Sequence, residues 1–240
     1  MENTSKKKGK KFLKFLLIAI VGLILVGFIG HLAWVSSGSN KWEKSLEKEG
    51  IVVHALKQPG KFVLQMKATK RIKSKLAAFV SVMQDVEAMC TDGCYEARVI
   101  KKEADSHLLS TFTRFDLPSP MKDREWVLEN HFSQDPQTKE ILYKIRAIPN
   151  IVPENDGYVR IKHFNNSWRF TSAGNGEVDV VWTADMDQGG YLVNLLFNLG
   201  SADAMRSSLL EIEKLVQKEK YQNAKFDFIE EVDEMKVAEN

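Results

Sequence analysis

Residues 15–35 form an unbroken run of 21 positions without a formal charge, in which His31 is the only ionisable side chain. At 1.5 Å per residue a helix of that length spans about 30 Å, the hydrocarbon thickness of a bilayer. Lys6, Lys7, Lys8, Lys10, Lys11 and Lys14 stand before it. Lys41, Lys44 and Lys48 follow it, mixed with Glu43, Glu47 and Glu49. A secretory signal core is shorter, about 7–15 apolar residues. The run therefore reads as an uncleaved transmembrane anchor, with a signal helix cleaved near Val35-Ser36-Ser37 as the alternative. Either way the lysine asymmetry leaves the amino terminus in the cytoplasm and the body outside, periplasmic or extracellular. Trp34 sits at the outer end, where an indole suits the interface. Residues 36–39 read as a short flexible linker.

This run also explains the charge. The total is +2, but residues 1–14 carry +5, so the remainder carries −3. A mildly acidic body does not suit nucleic-acid binding, which needs a basic surface. A hydrophobic fraction of 44% and a charged fraction of 28% exclude a disordered chain. Two cysteines exclude a disulfide-dense scaffold and a four-cysteine zinc site.

The body alternates between periods. Residues 40–49 read as a short helix ended by Gly50, and 51–56 and 62–72 as strands around a Pro59-Gly60 turn. Residues 74–89 read as a helix, with Leu76, Phe79, Val80, Met83 and Val86 at three- and four-residue spacing. Strands follow over 95–103, 106–117, 125–133, 139–148, 157–164, 167–173 and 177–186. Trp126, Leu128, Asn130 and Phe132 share one face, opposite Glu125, Glu129 and His131. Ile141, Tyr143, Ile145 and Ala147 share another, and so do Val178, Val180, Trp182, Ala184 and Met186. Such alternation marks an antiparallel sheet with one covered face. A long helix over 191–217 follows, with Leu192, Leu195, Leu196 and Leu199 opening an apolar stripe that Met205, Leu209, Ile212 and Val216 continue. Residues 219–240 read as an acidic, solvated tail after a helical start. The order predicts an α+β fold: a curved antiparallel sheet wrapped around the long carboxy-terminal helix.

Local motifs agree with a known family. Leu117-Pro118-Ser119-Pro120-Met121-Lys122-Asp123-Arg124-Glu125-Trp126-Val127 resembles a Pro-x-Pro turn leading to an Arg-acid strand start. Asp85-Val86-Glu87-Ala88 with Cys94-Tyr95-Glu96-Ala97-Arg98 resembles a helix-to-strand corner. Gly157-Tyr158-Val159-Arg160 with Trp168-Arg169-Phe170 resembles a hairpin. Asp185-Met186-Asp187-Gln188-Gly189-Gly190 with Asn194 resembles the approach to the final helix. In order and spacing, residues 40–218 resemble the helix-grip fold of START (steroidogenic acute regulatory protein-related lipid transfer) domains.

The resemblance implies non-covalent binding of one lipid or similar apolar molecule between sheet and long helix, with transfer as its extension. Concave, mainly apolar sites with a few orienting polar groups suit that task. The inward set is Trp126, Leu128, Asn130, Phe132, Tyr143, Val159, His163, Trp168, Phe170, Trp182 and Met186, faced by Leu196, Met205 and Leu209. Asn130, Tyr143 and His163 are its polar members and would either orient a headgroup or bond within the sheet. Arg124 and Glu125 would secure a turn or pair with each other, and Arg160 reads as a solvated strand arginine. No cofactor or metal is called for.

G-x-S-x-G, H-E-x-x-H, Walker and dinucleotide motifs are missing. An enzyme of the wider superfamily, a cyclase or hydrolase type, would have to use His163 with Tyr143. A cavity-less envelope interaction protein is the third reading. His131 and His163 fall on opposite faces, which disfavours a metal pair. Cys90 and Cys94 are either a local disulfide or two thiols. Asn165-Asn166-Ser167 satisfies a glycosylation sequon and reads as a tight hairpin.

Overall fold

The computed structural model describes residues 2–91, 93–103 and 107–232, with side chains from residue 11 onward. The chain divides into two units, Met1–Lys41 with Lys57–Phe62, and Trp42–Leu56 with Val63–Asn240.

The first unit is built on helix α1 (Glu2–Ser36). Within its Lys11–Ser36 portion an 18-residue stretch reaches a mean hydropathy of 2.8, long and apolar enough to cross a membrane, and none of that stretch is buried. The last carbonyls of a helix lack partners within the helix and attract cations. Here the Lys57 ammonium donates to the carbonyls of Val35 and Ser37. Gly60 N donates to Val35 O at 2.7 Å, and the Trp34 indole N–H to Phe62 O at 2.8 Å. Residues 36–39 are thus fastened to the 57–62 loop, whereas composition suggested a loose linker. A side chain at Gly38 would put Cβ 2.4 Å from Lys57 O, at a φ of +126°, so only glycine fits.

The second unit begins with β1 (Trp42–Lys48) and β2 (Ile51–Leu56). The first of these corrects the helix expected over 40–49. Trp42 and Leu46 are spaced for either structure, and the pairing with β2 decides. Lys48 faces Ile51 across a two-residue turn, and Glu49 and Gly50 both have positive φ, 56° and 72°. That is hairpin chemistry, so Gly50 turns a hairpin and does not end a helix.

The chain continues through β3 (Gln65–Lys73), α2 (Leu76–Gln84), β4 (Cys94–Glu103), β5 (Leu108–Phe115), β6 (Arg124–Gln134) and β7 (Ile141–Ala147). Then come β8 (Val159–Arg160), β9 (His163–Gly174), β10 (Glu177–Asp187), α3 (Tyr191–Val216) and α4 (Glu219–Gln222). One sheet results, in the order β1-β2-β3-β10-β9-β7-β6-β5-β4, antiparallel throughout, with β8 parallel to β6 off this path.

Strand β9 corrects a second expectation. Two strands with a hairpin at Asn165-Asn166-Ser167 were expected, and one continuous strand is found. These turn-forming residues pair with Asp185, Ala184 and Thr183 on β10 and with Arg146, Ile145 and Lys144 on β7. Ladder bonds on both edges override local preference.

Helix α2 ends at Gln84, five residues before the expected limit, where the Asp85 carboxylate accepts from Ala88 N and closes a turn. Its first turn has no cap of its own. The Glu231 carboxylate supplies one, accepting from Leu76 N at 2.9 Å and Ala77 N at 2.8 Å. Phe226, Phe228 and Ile229 pack partly buried against the core. The segment expected as a solvated tail is therefore part of the body as far as Glu231.

One face of the sheet carries the core. Phe132, Ile141, Phe170 and Val180 from strands join Phe79 and Val80 of α2 and Leu209 and Ile212 of α3 in one apolar cluster. Helix α3 lies against β1, β2 and β3, and α2 against β9. Phe79 stacks on Phe170 with ring centres 4.7 Å apart. The fold is α+β, a curved antiparallel sheet with a long carboxy-terminal helix, as expected.

Candidate functional site

Register fixes which side chains share the inner face. Trp182 stands opposite Trp168, Trp168 opposite Tyr143, and Tyr143 opposite Phe132. An aromatic row therefore crosses four strands. Trp168 and Trp182 stack at 4.5 Å, and Phe132 and Tyr143 at 4.1 Å. Along the strands from this row lie Asn130, then Leu128 opposite Thr111, then Trp126 opposite Thr113. Leu128, Phe132, Tyr143, Trp168, Phe170, Met186, Met205 and Leu209 belong to one buried cluster, and Trp126 and Trp182 pack on its margin.

Three members of the expected set lie elsewhere. His163 points outward, side chain 53% exposed, with Nε2 2.9 Å from Asp185 Oδ1. It was placed by counting from Val159 along a supposed single strand. The strand breaks between β8 and β9, and in β9 the even-numbered residues Phe164, Asn166, Trp168 and Phe170 are the buried ones. Val159 pairs beside Arg124 and lies against Gly189, where an added Cβ would approach its Cγ1 to 2.8 Å.

Leu196 is 49% exposed, and Leu192, Leu195 and Leu199 are exposed with it. The buried stripe of α3 runs instead through Asn194, Ser201, Met205, Leu209 and Ile212. Hydrogen bonds set this rotation. Asn194 accepts from Gln188 N at 2.9 Å and donates to Asp187 at 2.7 Å. Asn198 accepts from Leu64 N at 2.9 Å. Turning the leucines inward would break these bonds.

On the inner face Tyr143, Asn130 and Thr111 are bound to one another. Tyr143 OH donates to Asn130 Oδ1 at 2.8 Å. Asn130 Nδ2 donates to Leu109 O at 2.8 Å and to Thr111 Oγ1 at 3.1 Å. Burial pushes the Tyr143 phenol pKa up, so it remains a donor. Tyr143 faces inward and His163 outward, so they do not form the pair a superfamily enzyme would use.

The outer face holds a buried charge system that the sequence pattern did not suggest. Glu125 accepts from Arg160 at 2.8 Å and from Arg114 at 2.7 Å. Arg160 is buried, not solvated, and also donates to the carbonyls of Pro149, Val152 and Pro153. It holds the loop between β7 and β8. Arg124 does not pair with Glu125. It donates to the carbonyls of Lys122, Gln188 and Gly189, which fastens the approach to α3. Alternation alone made Arg160 a surface residue, because the carbonyls that surround it come from an irregular segment.

Two open hollows flank the sheet. One, of about 530 Å³, lies where His107, His131, Phe132 and Gln134 meet Phe228 and Glu230. The other, of about 640 Å³, lies beside Arg98, Arg114, Glu125 and residues 152–156. Of the expected inward set, Phe132 alone borders either. Among the described residues no group of three or more His, Cys, Asp or Glu could hold a metal ion. Cys90 and Cys94 form a disulfide, which settles that alternative. Asn165 of the sequon is exposed within β9.

Comparison with known proteins places this fold. No protein-family profile matches the chain. An uncharacterized protein of Pseudomonas aeruginosa is 23% identical over 181 residues, covering 74% of this chain and 87% of its own length. A STAR-related lipid transfer protein from Xanthomonas axonopodis superposes with a TM-score of 0.67 at 19% identity, covering 74% of this chain and 99% of that structure. Human StAR-related lipid transfer protein 5 superposes with a TM-score of 0.61 at 12% identity, covering 83% of this chain and 97% of that one. The chain has the helix-grip fold of the START domains.

Proposed function

We propose that the chain is a membrane-anchored START-type module that binds one lipid or similar apolar molecule non-covalently on the inner face of its sheet. The observation that carries this reading is the aromatic row Phe132–Tyr143–Trp168–Trp182, which lines the inner face of a fold shared with lipid transfer proteins. The Tyr143 hydroxyl of this row is occupied with Asn130, and apolar burial supplies the bulk of the affinity. Burial contributes about 25 cal/mol per Å² removed from water. Ligand uptake requires α3 or the loops beside it to move, since Met205 and Leu209 close on the same cluster. The separation of Tyr143 from His163 argues against the enzymatic alternative.

The anchor would be α1, with the body on the side opposite the amino-terminal lysines. An anchored module takes up or presents ligand close to its own membrane, and transfer between membranes is the extension of that role. Native mass spectrometry of the full chain released from membranes tests the reading. A bound lipid mass on the protein is expected. An unliganded protein that also moves no labelled lipid between vesicles would sink it.

A further inference from the structure

The inner face carries hydrogen-bond donors that the protein itself does not use. Trp126 on β6 stands directly opposite Thr113 on β5. The Trp126 indole nitrogen and the Thr113 hydroxyl are both shut from solvent and have no hydrogen-bond partner. An indole N–H can only donate, so no rearrangement of its own satisfies it. Two residues along the same face, the Thr111 oxygen accepts from the Asn130 amide, which leaves the hydroxyl hydrogen of Thr111 to be given elsewhere. Opposite partners in a sheet have Cβ atoms about 5 Å apart, and next-but-one neighbours along a strand about 7 Å. The three groups therefore crowd one patch. A buried donor left unpaired costs about as much as a lost hydrogen bond, so several in one place call for an acceptor from outside the chain.

The surroundings define that acceptor. Phe115 and Phe164 wall the Trp126 ring, with ring centres 4.1 and 5.1 Å away. The cation nearest in register, Arg124, spends its guanidinium on three backbone carbonyls. Arg98 and Arg114 stack on Phe112, on the opposite face of β5. A carboxylate or phosphate would thus be buried without a counter-charge, which is costly. A carbonyl oxygen brings two lone pairs and no charge.

We infer that Thr111, Thr113 and Trp126 form a neutral donor subsite for the carbonyl oxygen of an uncharged ester or ketone group on the ligand. This deepens the proposed function and rests on it. The preferred ligand is an apolar chain with an acyl ester or keto group, over a pure hydrocarbon or a charged fatty acid.

The test uses the full chain in lipid nanodiscs loaded with equal amounts of octadecene, methyl oleate and sodium oleate, which differ in the head but little in the chain. Bound ligand is counted by native mass spectrometry after ejection of the protein. Wild type is expected to hold methyl oleate about tenfold over octadecene, and over oleate as well. Thr113→Val keeps the shape, Trp126→Phe keeps an aromatic ring, and each removes one donor. In both, the ratio of bound methyl oleate to bound octadecene should fall several-fold from its wild-type value. Equal uptake of ester and alkene by wild type overturns the inference, as does oleate exceeding the ester or a preference retained in both variants. Uptake of none of the three overturns the proposed function as well, so the two failures are told apart.

Discussion

At the scale of single residues, the contacts that matter most join segments far apart in sequence. Asp85 is an example. Its carboxylate accepts from Lys220 Nζ and Tyr221 OH, each at 2.8 Å, and from Ala88 N at 3.0 Å. Burial works against its ionisation, but these three donors outweigh it and hold its pKa below the usual aspartate range. A carboxylate whose folded pKa is depressed adds stability above its unfolded pKa, about 3.9, and loses it as pH falls through the folded value. Asp85→Asn should therefore be less stable than wild type at pH 7, and the gap should narrow below about pH 4. Urea unfolding at pH 7 and pH 2.5 checks this, and a gap of equal size at both would be the contrary result. No periodicity in the sequence points from residue 85 to residue 220. The same holds for Arg160, whose carbonyl partners lie in an irregular loop, and for Thr113, whose importance depends on standing opposite Trp126. Thr113 was findable by alternation, since Leu109, Thr111, Thr113 and Phe115 share a face of a strand that was recognised. A threonine on such a face carries no signal of burial by itself, since its polarity is equally compatible with exposure.

At the scale of elements, the strands were legible where alternation is strict and partners lie on both sides, as in β6, β7 and β10. They were misread where residue type and pairing disagree. β1 is mostly exposed and is a strand only because β2 pairs with it. β9 keeps asparagines mid-strand because both its edges are bonded. Helix α3 shows the largest gap between pattern and placement. Its existence follows from length and periodicity, but its rotation does not, because Asn194 and Asn198 decide it. The leucines of its first half look like a core stripe and are not one. Leu199 is 76% exposed, and Leu209 is fully buried. Leu199→Gln should change unfolding free energy by less than about 0.5 kcal/mol, as surface substitutions do. Leu209→Ala should cost about 2–5 kcal/mol, because it leaves a cavity between α3 and the sheet. Denaturant midpoints for the two variants measure this directly. Similar losses for both would mean that α3 sits in another rotation.

At the scale of the whole chain, two features that share no residues bear on which side of a membrane the body occupies. The first is the cluster of six lysines ahead of the apolar run, against mixed charges after it. Lysines near a span are retained in the cytoplasm, so on the proposed anchoring the body would lie on the other side. The second is the Cys90–Cys94 disulfide, which ties the end of the α2 turn to the start of β4. Structural disulfides persist in oxidising compartments and are rare in the cytosol. The bridge closes a short loop, so its entropic contribution is at the low end of the usual range, and its diagnostic value exceeds its energetic one. We expect alkaline phosphatase, active only where its own disulfides form, to be active when fused after residue 240, and green fluorescent protein to be dark when exported there by the same helix. Replacing Lys6, Lys7, Lys8, Lys10, Lys11 and Lys14 with asparagine should weaken that bias, and a thiol-reactive label should then find Cys90 and Cys94 reduced in the misoriented fraction. Phosphatase inactive in the native fusion, with the thiols free, would place the body in the cytoplasm. The inner-face reading would survive that result, because aromatic burial and the donor patch depend on register alone.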